Sequence, residues 1–350
     1  MTMPGLLLLA LFAAPPPAIG GAASVAVEAG SGRVAIARAS RIAVYEGFTA
    51  SAPTATFDAP DGPLDLLEFR GGKLIYRFVM PETKAESFAC VLAEDGRELV
   101  VFPNDGIGAA FPTAGARLTV DGKGLYQNLT LEAGSRAELG IPGDVPDGAG
   151  VIATYRFAGE KVAARFSEDF DAGRALAAGD LLITLRRGGL LRYRAGEGVT
   201  WRLDGDRPGP WRILDVDPAG RVAVVLEGAT ALVGRAVADG VELWRLDLGA
   251  PGSAWDAVTS GRPLSVVDGR LLRDGRVLVL GRARPFLTVW DPARGVPVGG
   301  DLLQREEYLP MRERILAEDA TLAGVGEVVT ERGPALLLGA RHGVAPAPLP

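Results

Sequence analysis

Three acidic side chains stand close together at Glu168, Asp169 and Asp171, within the stretch FSEDFDAG. Carboxylate oxygens are the ligands that Ca²⁺ takes in proteins, which makes this trio a weak candidate for a calcium site. The spacing lacks the distant bidentate Glu of an EF-hand loop, and an acidic surface turn is the favoured interpretation. The sequence therefore predicts no resident metal and no other cofactor.

Two residue types that often do chemistry occur once each, as Cys90 and His342. Cys90 lies in the apolar run ESFACVLAED, where we expect a small buried hydrophobe, and a single cysteine excludes an intrachain disulfide. His342 lies beside the Pro-rich end of the chain and has no second histidine with which to bind a metal. No G-x-S-x-G elbow, Walker loop or Rossmann glycine pattern stands in the required strand–helix setting. The sequence favours a protein that is not an enzyme, without excluding one.

The composition excludes some classes of partner. The chain has 350 residues, 48% of them hydrophobic, and a formal net charge of −6. Nucleic-acid binders concentrate basic residues on one face, whereas the arginines here are interleaved with acids, as in RLDGDRPGPWR. No stretch after the N-terminal segment is apolar for eighteen residues, so a polytopic membrane protein is not expected either.

The N-terminal stretch MTMPGLLLLALFAAPPPAIGGAAS is typical of a secretory signal. Its apolar centre, Leu6 to Ala14, is too short to span a bilayer, and small residues follow where a peptidase could cut, after Gly20 or Ala23. The segment before this centre has no Lys or Arg, which leaves a merely floppy terminus as the alternative. We predict a signal peptide over residues 1–23, a periplasmic or secreted protein and no membrane anchor after cleavage. The Ala- and Arg-rich composition is typical of a GC-rich bacterial genome.

Hairpins dominate the rest of the chain. The clearest is DLLITLRRGGLLRYRAGEG (residues 180–198), with Gly188-Gly189 as its two-residue turn. Asp-Gly dipeptides, which suit tight turns because both residues tolerate positive φ, recur before strands rich in Val, Leu and Ile. They stand at 95–96, 121–122, 204–205, 239–240, 268–269 and 274–275.

A repeat of hairpin pairs follows from the spacing. Comparable strands come after Gly32, Gly72, Gly122, Gly179, Gly220 and Gly275 and again near Leu322. The mean interval of about 48 residues lies in the range of four-stranded propeller blades. We predict an all-β chain that forms a single β-propeller of seven blades with four antiparallel strands each, six or eight blades staying open, over residues 24–343. Residues 344–350 would form a Pro-rich tail, and a two-sheet sandwich is the alternative fold.

Three stretches carry a family resemblance. LTVWDPARG (287–295) resembles the end of a third strand in WD-repeat and YVTN propellers, and LLRYRAGEGVTWRLD (190–204) is similar to the quinoprotein-type (PQQ-type) repeat. LDVDPAGRVAVVL (214–226) has the strand–turn–strand form of many bacterial propeller repeats. The resemblance implies degenerate repeats of this superfamily and a packing role for the aromatic residues between blades. The residues concerned are Trp201, Trp211, Trp244, Trp255 and Trp290.

The resulting hypothesis is a monomeric, non-catalytic ring that binds a protein or another envelope macromolecule through its loop face. The first alternative is a propeller enzyme, a lactonase or glycan-processing hydrolase, that uses carboxylates and arginines of the central channel. The second is a ligand sensor without catalysis. Acids converging with an arginine at the channel would favour the enzyme.

Overall fold

The computed structural model describes seven antiparallel sheets that follow one another along the chain, six with four strands and one with three. This confirms the prediction of an all-β chain built from four-stranded antiparallel sheets. No helix in the described part is long and apolar enough to cross a bilayer. The description covers residues 23–350 except 29, 60–63, 80–85, 104–117, 121–123, 131–149, 157–160, 168–169, 177–179, 195–196, 206–208, 229–230, 249–265, 282–284, 310, 314–321, 323–324, 331 and 341–342.

Each sheet is a meander in which consecutive strands pair. Sheet 1 contains β1 (Ala23–Val27), β2 (Val34–Arg38), β3 (Arg41–Tyr45) and β4 (Ala55–Asp58). Sheet 2 contains β5 (Asp65–Arg70), β6 (Lys73–Val79), β7 (Glu86–Leu92) and β8 (Glu98–Pro103). Sheet 3 contains β9 (Leu118–Val120), β10 (Gly124–Thr130), β11 (Gly150–Arg156) and β12 (Lys161–Ser167). Sheet 4 contains β13 (Phe170–Ala175), β14 (Leu181–Leu185), β15 (Gly189–Arg194) and β16 (Gly198–Asp204).

The later sheets follow the same order. Sheet 5 contains β17 (Trp211–Val216), β18 (Val222–Glu227), β19 (Ala231–Ala236) and β20 (Glu242–Asp247). Sheet 6 contains β21 (Val266–Leu271), β22 (Val277–Gly281), β23 (Phe286–Asp291) and β24 (Val296–Val298). Sheet 7 contains β25 (Gly326–Thr330), β26 (Gly333–Ala340) and β27 (Gly343–Pro348). Two 3₁₀ turns, Leu302–Gln304 and Glu306–Tyr308, lie between sheets 6 and 7 in the chain.

Sheet 1 shows how the side-chain alternation of a strand serves two neighbouring sheets. Val25 and Val27 of β1 pack with residues of sheet 7, whereas Ala26 between them packs with sheet 2. Strand β2 repeats this division, because Val34 and Ile36 lie toward sheet 7 and the intervening alanines lie toward sheet 2. Both faces of sheet 1 are therefore buried, and the first sheet of the chain adjoins the last.

The hydrophobic core consists of such inter-sheet clusters. One cluster lies between sheets 4 and 5, a second between sheets 5 and 6, and a third between sheets 6 and 7. Three second strands are buried along their whole length: VAIAR of β2, LLITL of β14 and VLVLG of β22. A sheet that is apolar on both faces must be covered on both, and side-by-side packing achieves this for sheets 1, 5, 6 and 7.

The C-terminal residues form an edge strand of sheet 7. Segment 344–350, which the sequence analysis set apart as a Pro-rich tail, lies largely within β27, where Ala347 pairs with Leu336. The Leu349 N–H donates to the Pro334 carbonyl at 3.1 Å, so odd-numbered residues direct their N–H groups toward β26. Pro346 and Pro348 therefore stand where an N–H would point outward, and the outer edge of β27 lacks those donors.

We expect Gly326→Ala to weaken the junction between sheets 7 and 1. A Cβ atom at position 326 would lie 2.1 Å from the Val27 Cβ and 3.2 Å from the Val27 Cα, so the backbone of β1 would have to move. Overpacking of this kind costs about 1–3 kcal/mol of the free energy of unfolding, which urea denaturation would measure. Gly47→Ala is the control, since its Cβ would meet no atom within 4 Å; equal stability of the two variants would contradict the tight junction.

Candidate functional site at the centre of the ring

The first strands of four sheets share a β-bulge. The register shifts between Leu66 and Glu68 in β5, Phe170 and Ala172 in β13, Ile213 and Asp215 in β17, and Val266 and Asp268 in β21. An acidic residue directly follows the bulge in three of these strands, and an arginine stands two positions later in three. The residues are Glu68, Asp215 and Asp268, and Arg70, Arg174 and Arg270. A bulge re-aims the side chains that follow it, so these charges occupy equivalent positions in their sheets.

Asp215 joins three sheets. The Arg174 guanidinium of sheet 4 forms an ion pair with the Asp215 carboxylate at 3.0 Å and donates to the Leu214 carbonyl at 3.2 Å. The Leu271 N–H of sheet 6 donates to the other Asp215 oxygen at 2.8 Å. Asp215 and Arg174 are both largely buried, so the pair binds neighbouring sheets in a place that water hardly reaches.

The same kind of bond links sheets 5, 6 and 7. Arg212 donates to the Val266 carbonyl at 3.0 Å, and Arg270 donates to the Val325 carbonyl. The Asp268 carboxylate accepts the Leu322 N–H at 2.9 Å. Hydrogen bonds therefore link consecutive sheets from sheet 4 to the residues that precede β25 of sheet 7.

The order of these bonds shows that neighbouring first strands are parallel. In sheet 1, Ser24 Oγ accepts the Leu66 N–H at 2.9 Å, and Glu28, four residues later, accepts the Gly72 N–H at 2.7 Å. Positions advance together along both chains, as they also do between sheets 5 and 6. The first strands thus leave the ring at one common end.

Glu68 identifies the space that these strands enclose. Burial raises the pKa of its carboxyl group, and the charges of Arg174, Arg70 and Arg270 counteract this while Asp215 adds to it. Sheets 4, 5 and 6 are not neighbours of sheet 2, so these charges act on Glu68 from across the ring. The Glu68 side chain is half-buried. We call Glu68 and the four charged residues that act on it, Arg70, Arg174, Asp215 and Arg270, the lumen cluster.

Two members of the lumen cluster differ from the rest. Within the part of the chain that the structure describes, neither the Glu68 nor the Arg70 side chain has a direct hydrogen bond or ion pair with another residue. Arg174, Asp215 and Arg270, in contrast, are engaged with neighbouring sheets. Sequence reasoning missed the cluster, although the recurring acid-x-Arg spacing of Glu68-Phe69-Arg70 and Asp268-Gly269-Arg270 was a signal that could have found it.

Of the three calcium candidates, Asp171 is the one that the structure describes. Glu168 and Asp169 lie outside the described residues. Asp171 lies on the bulge of β13, where burial raises the pKa of its carboxyl group and the charges of Arg186 and Arg212 oppose that rise. These two arginines disfavour a cation at this place, and among the described residues no group of three His, Cys, Asp or Glu side chains is arranged to hold a metal ion.

Four of the tryptophans lie at sheet boundaries. Trp211 is buried, and Trp201 half-buried, in the cluster between sheets 4 and 5, where Trp201 Nε1 donates to the Val237 carbonyl at 3.0 Å. Trp290 is buried between sheets 5 and 6, and Trp244 packs against the same cluster. Trp255 and His342 lie outside the described residues. Cys90 is buried, and burial raises the pKa of its thiol to about 12.

No family model and no curated protein matches the chain. Among solved structures it is similar to the β-propeller domain of Myceliophteria thermophila Cps50 (Swd1), at TM-score 0.52 and 12% identity over 81% of this chain and 88% of that chain. Hsv2 of Kluyvelomyces marxianus matches at TM-score 0.48 and 12% identity, over 77% and 76%. The C-terminal WD40 domain of Sif2 matches at TM-score 0.46 and 11% identity, over 80% and 72%. With its successive four-stranded sheets and its first and last sheets in contact, the chain is a β-propeller repeat protein.

Proposed function

We propose that this protein is a non-catalytic, extracytoplasmic propeller that docks a protein or another envelope macromolecule on one face of its ring. The proposal includes seven blades, the last with three strands, a monomeric ring and degenerate repeats of the WD, YVTN and quinoprotein-like superfamily. The seven successive sheets and the packing of Val25 and Val27 against sheet 7 support the blade number. β-propellers that serve as interaction scaffolds, as the WD40 neighbours suggest, supply the general precedent.

The two faces of the ring differ in their connections. We call the end of the ring at which the first strands end the hairpin face. It carries the turns between first and second strands, such as 71–72, 217–221 and 272–276. Turns between third and fourth strands share it, because Ala93 N–H donates to the Gly72 carbonyl and Val237 N–H to the Arg221 carbonyl, both at 2.8 Å. The opposite end, the linker face, receives the chain ends that join second to third strands and one sheet to the next.

The long connections leave from the linker face. Segments 104–117, 131–149 and 248–265 all join strand ends of that face, whereas the longest connection of the hairpin face is 46–54. Long connections on a rigid scaffold are where recognition residues concentrate. This asymmetry is the observation that carries the docking proposal, and it supports a docking surface on the linker face.

The extracytoplasmic location rests on the N-terminal sequence. Strand β1 begins at Ala23, so cleavage after Gly20 would leave the first blade whole. Cleavage after Ala23 would remove one residue of that strand. We therefore favour Gly20 as the end of the leader within the proposed segment 1–23.

A propeller enzyme is the less favoured function. Hydrolysis by two carboxylates needs an acid and a base that both reach the substrate. In the lumen cluster, Asp215 is held by Arg174 and by the Leu271 N–H, which leaves Glu68 as the one of its two carboxyls without a direct partner among the described residues. The acids and arginines do converge, as the enzyme hypothesis requires, but their bonds serve to join sheets.

The test compares two shortened proteins. Thr130 and Gly150 are register partners, so an Asn-Gly turn can replace 131–149 on the linker face without straining β10 or β11. The matched control replaces 157–160, on the hairpin face of the same sheet, by Asn-Gly. After cross-linking in the native envelope fraction, we expect at least tenfold less partner on the first variant and an unchanged amount on the control. Equal capture by both, or turnover of lactones or glycosides by the pure protein, would overturn the proposal.

A further inference from the structure

We propose that the connection 46–54 of sheet 1 is a strap that keeps the ring shut at the junction between sheets 7 and 1. Phe48 of this connection takes the place of the aromatic residue that a fourth strand supplies at other junctions. Unfolding of the ring then begins at this junction, and the strap sets its rate. The inference concerns the hairpin face and is independent of the docking proposal.

At two junctions, an aromatic ring from the fourth strand of one sheet covers the third–fourth turn of the next sheet. Phe57 of β4 lies over the turn of sheet 2, where a Cβ atom at Gly96 would collide with its ring. Trp201 of β16 lies over the turn of sheet 5, where a Cβ atom at Gly240 would be 3.2 Å from its ring. Both rings are half-buried and pack against the hydrophobic cluster between their two sheets. Such a ring closes the hairpin-face end of each junction.

The junction between sheets 7 and 1 is built differently. Its inner part is closed, because β1 and β25 approach so closely that a Cβ atom at Gly326 would collide with Val27. Sheet 7 has three strands in the described part of the chain, so no described residue of a fourth strand lies over the connection of sheet 1. The outer part of this junction therefore has to be covered in another way.

The third–fourth connection of sheet 1 supplies this cover. It spans nine residues, 46–54, whereas the corresponding connections of sheets 2 to 6 span three to five. Phe48 and Ala50 are half-buried and pack against the cluster between sheets 7 and 1, which includes Val328 and Leu337 of sheet 7. An aromatic ring is again present at the hairpin-face end of the junction, and here sheet 1 itself provides it.

Hydrogen bonds give the strap a defined form. At its base, the Thr54 N–H donates to the Val44 carbonyl at 2.7 Å, and the Thr54 hydroxyl donates to the same carbonyl at 3.1 Å. Within the strap, the Ala50 N–H donates to the Gly47 carbonyl at 3.2 Å and closes a turn that contains Phe48. Phe48 is therefore held against the cluster by a short ordered loop.

Phe48 differs from Phe57 and Trp201 in what holds it in place. Phe57 and Trp201 stand in strands that pair with the third strands of their own sheets. Phe48 stands in a connection outside this pairing, and segments that are not paired in a sheet open at lower free energy than strands do. The ring thus opens first between sheets 7 and 1, and contacts that are lost before the barrier to unfolding determine the unfolding rate.

Unfolding kinetics of the full-length protein test the strap by comparing Phe48→Ala with Phe57→Ala. The two variants lose the same atoms from half-buried rings on opposite faces of one sheet. Phe48→Ala should raise the unfolding rate in urea by about tenfold and leave the refolding rate nearly unchanged, because its contact is broken at the barrier. Phe57→Ala should change the unfolding rate by less than about twofold and slow refolding, because sheets 1 and 2 are still joined there. Stopped-flow tryptophan fluorescence measures both rates.

Equilibrium denaturation in urea provides the loss of stability against which each rate is compared. The unfolding rate should account for nearly all of this loss in Phe48→Ala and for a small part of it in Phe57→Ala. Equal shares in the two variants, or a Phe48→Ala protein that is as stable as the wild-type protein, would overturn the proposal. If an alanine variant does not fold, Phe48→Leu and Phe57→Leu allow the same comparison with a smaller loss of contact.

Discussion

Asp215→Ala is expected to lower the free energy of unfolding by about 3–5 kcal/mol, because it removes the carboxylate that pairs with the buried Arg174 guanidinium. The same change removes the acceptor of the Leu271 N–H, at 2.8 Å, and so loosens sheet 6 as well as sheet 4. The loss should appear as a lower midpoint in urea with a similar slope, since the amount of surface exposed on unfolding stays nearly the same.

Asp204→Ala is the matched control for this prediction. Asp204 also pairs with an arginine, Arg202, at 2.7 Å, but both side chains are about half exposed or more, at 74% and 47%. Exposed pairs contribute about 0–1 kcal/mol, so this variant should remain within about 0.5 kcal/mol of the wild-type protein. An Asp215 variant as stable as the Asp204 variant would mean that the ion pair does not hold the sheets together.

The importance of Asp215 illustrates what the sequence could not reveal. The repeat of strands and turns was readable, because its signals are local: Gly71-Gly72 and Gly188-Gly189 form turns with positive φ, and the six repeat glycines precede the second strands of sheets 1 to 6. The inner charges depend on a one-residue bulge, and the acid-x-Arg spacing that accompanies the bulge in sheets 2 and 6 is missing at Asp215, where Asp217 stands in place of an arginine. Acids near turn residues were therefore all interpreted as surface turns.

The C-terminal strand shows a second limit, one that arises from propensity. Prolines at 346, 348 and 350 argue against a strand, because proline donates no hydrogen bond. Their spacing of two residues nevertheless places every missing N–H on the same edge, while the intervening residues pair with β26. An edge strand tolerates this pattern, and the prolines also protect that edge from pairing with another chain. Only the pairing with β26 shows that these prolines lie on the outer edge of a strand and do not prevent the strand from forming.

Tyr308 occupies the space beside this edge, and Tyr308→Ala should cost about 3–5 kcal/mol of the free energy of unfolding. The ring is fully buried with Leu302, Leu336 and Ala347 in the cluster between sheets 6 and 7, so truncation would leave a cavity there. The hydroxyl donates to the Pro348 carbonyl at 3.0 Å, a carbonyl that points away from β26 and has no fourth strand to bind in the described part of sheet 7.

Tyr308→Phe separates the two contributions. It keeps the ring and removes only the hydroxyl, so the Pro348 carbonyl loses its partner at a cost of about 0.5–1.5 kcal/mol. Thermal and urea unfolding of both variants measure the difference in stability. Hydrogen exchange at β26 and β27 shows whether the loss of stability is confined to sheet 7. If Tyr308→Ala unfolds sheet 7 locally while sheets 1 to 6 stay protected, the contact between sheets 7 and 1 is too weak to hold the ring shut. If all sheets lose protection together, the closed ring behaves as one cooperative unit, as we expect from hydrophobic clusters that each span two neighbouring sheets.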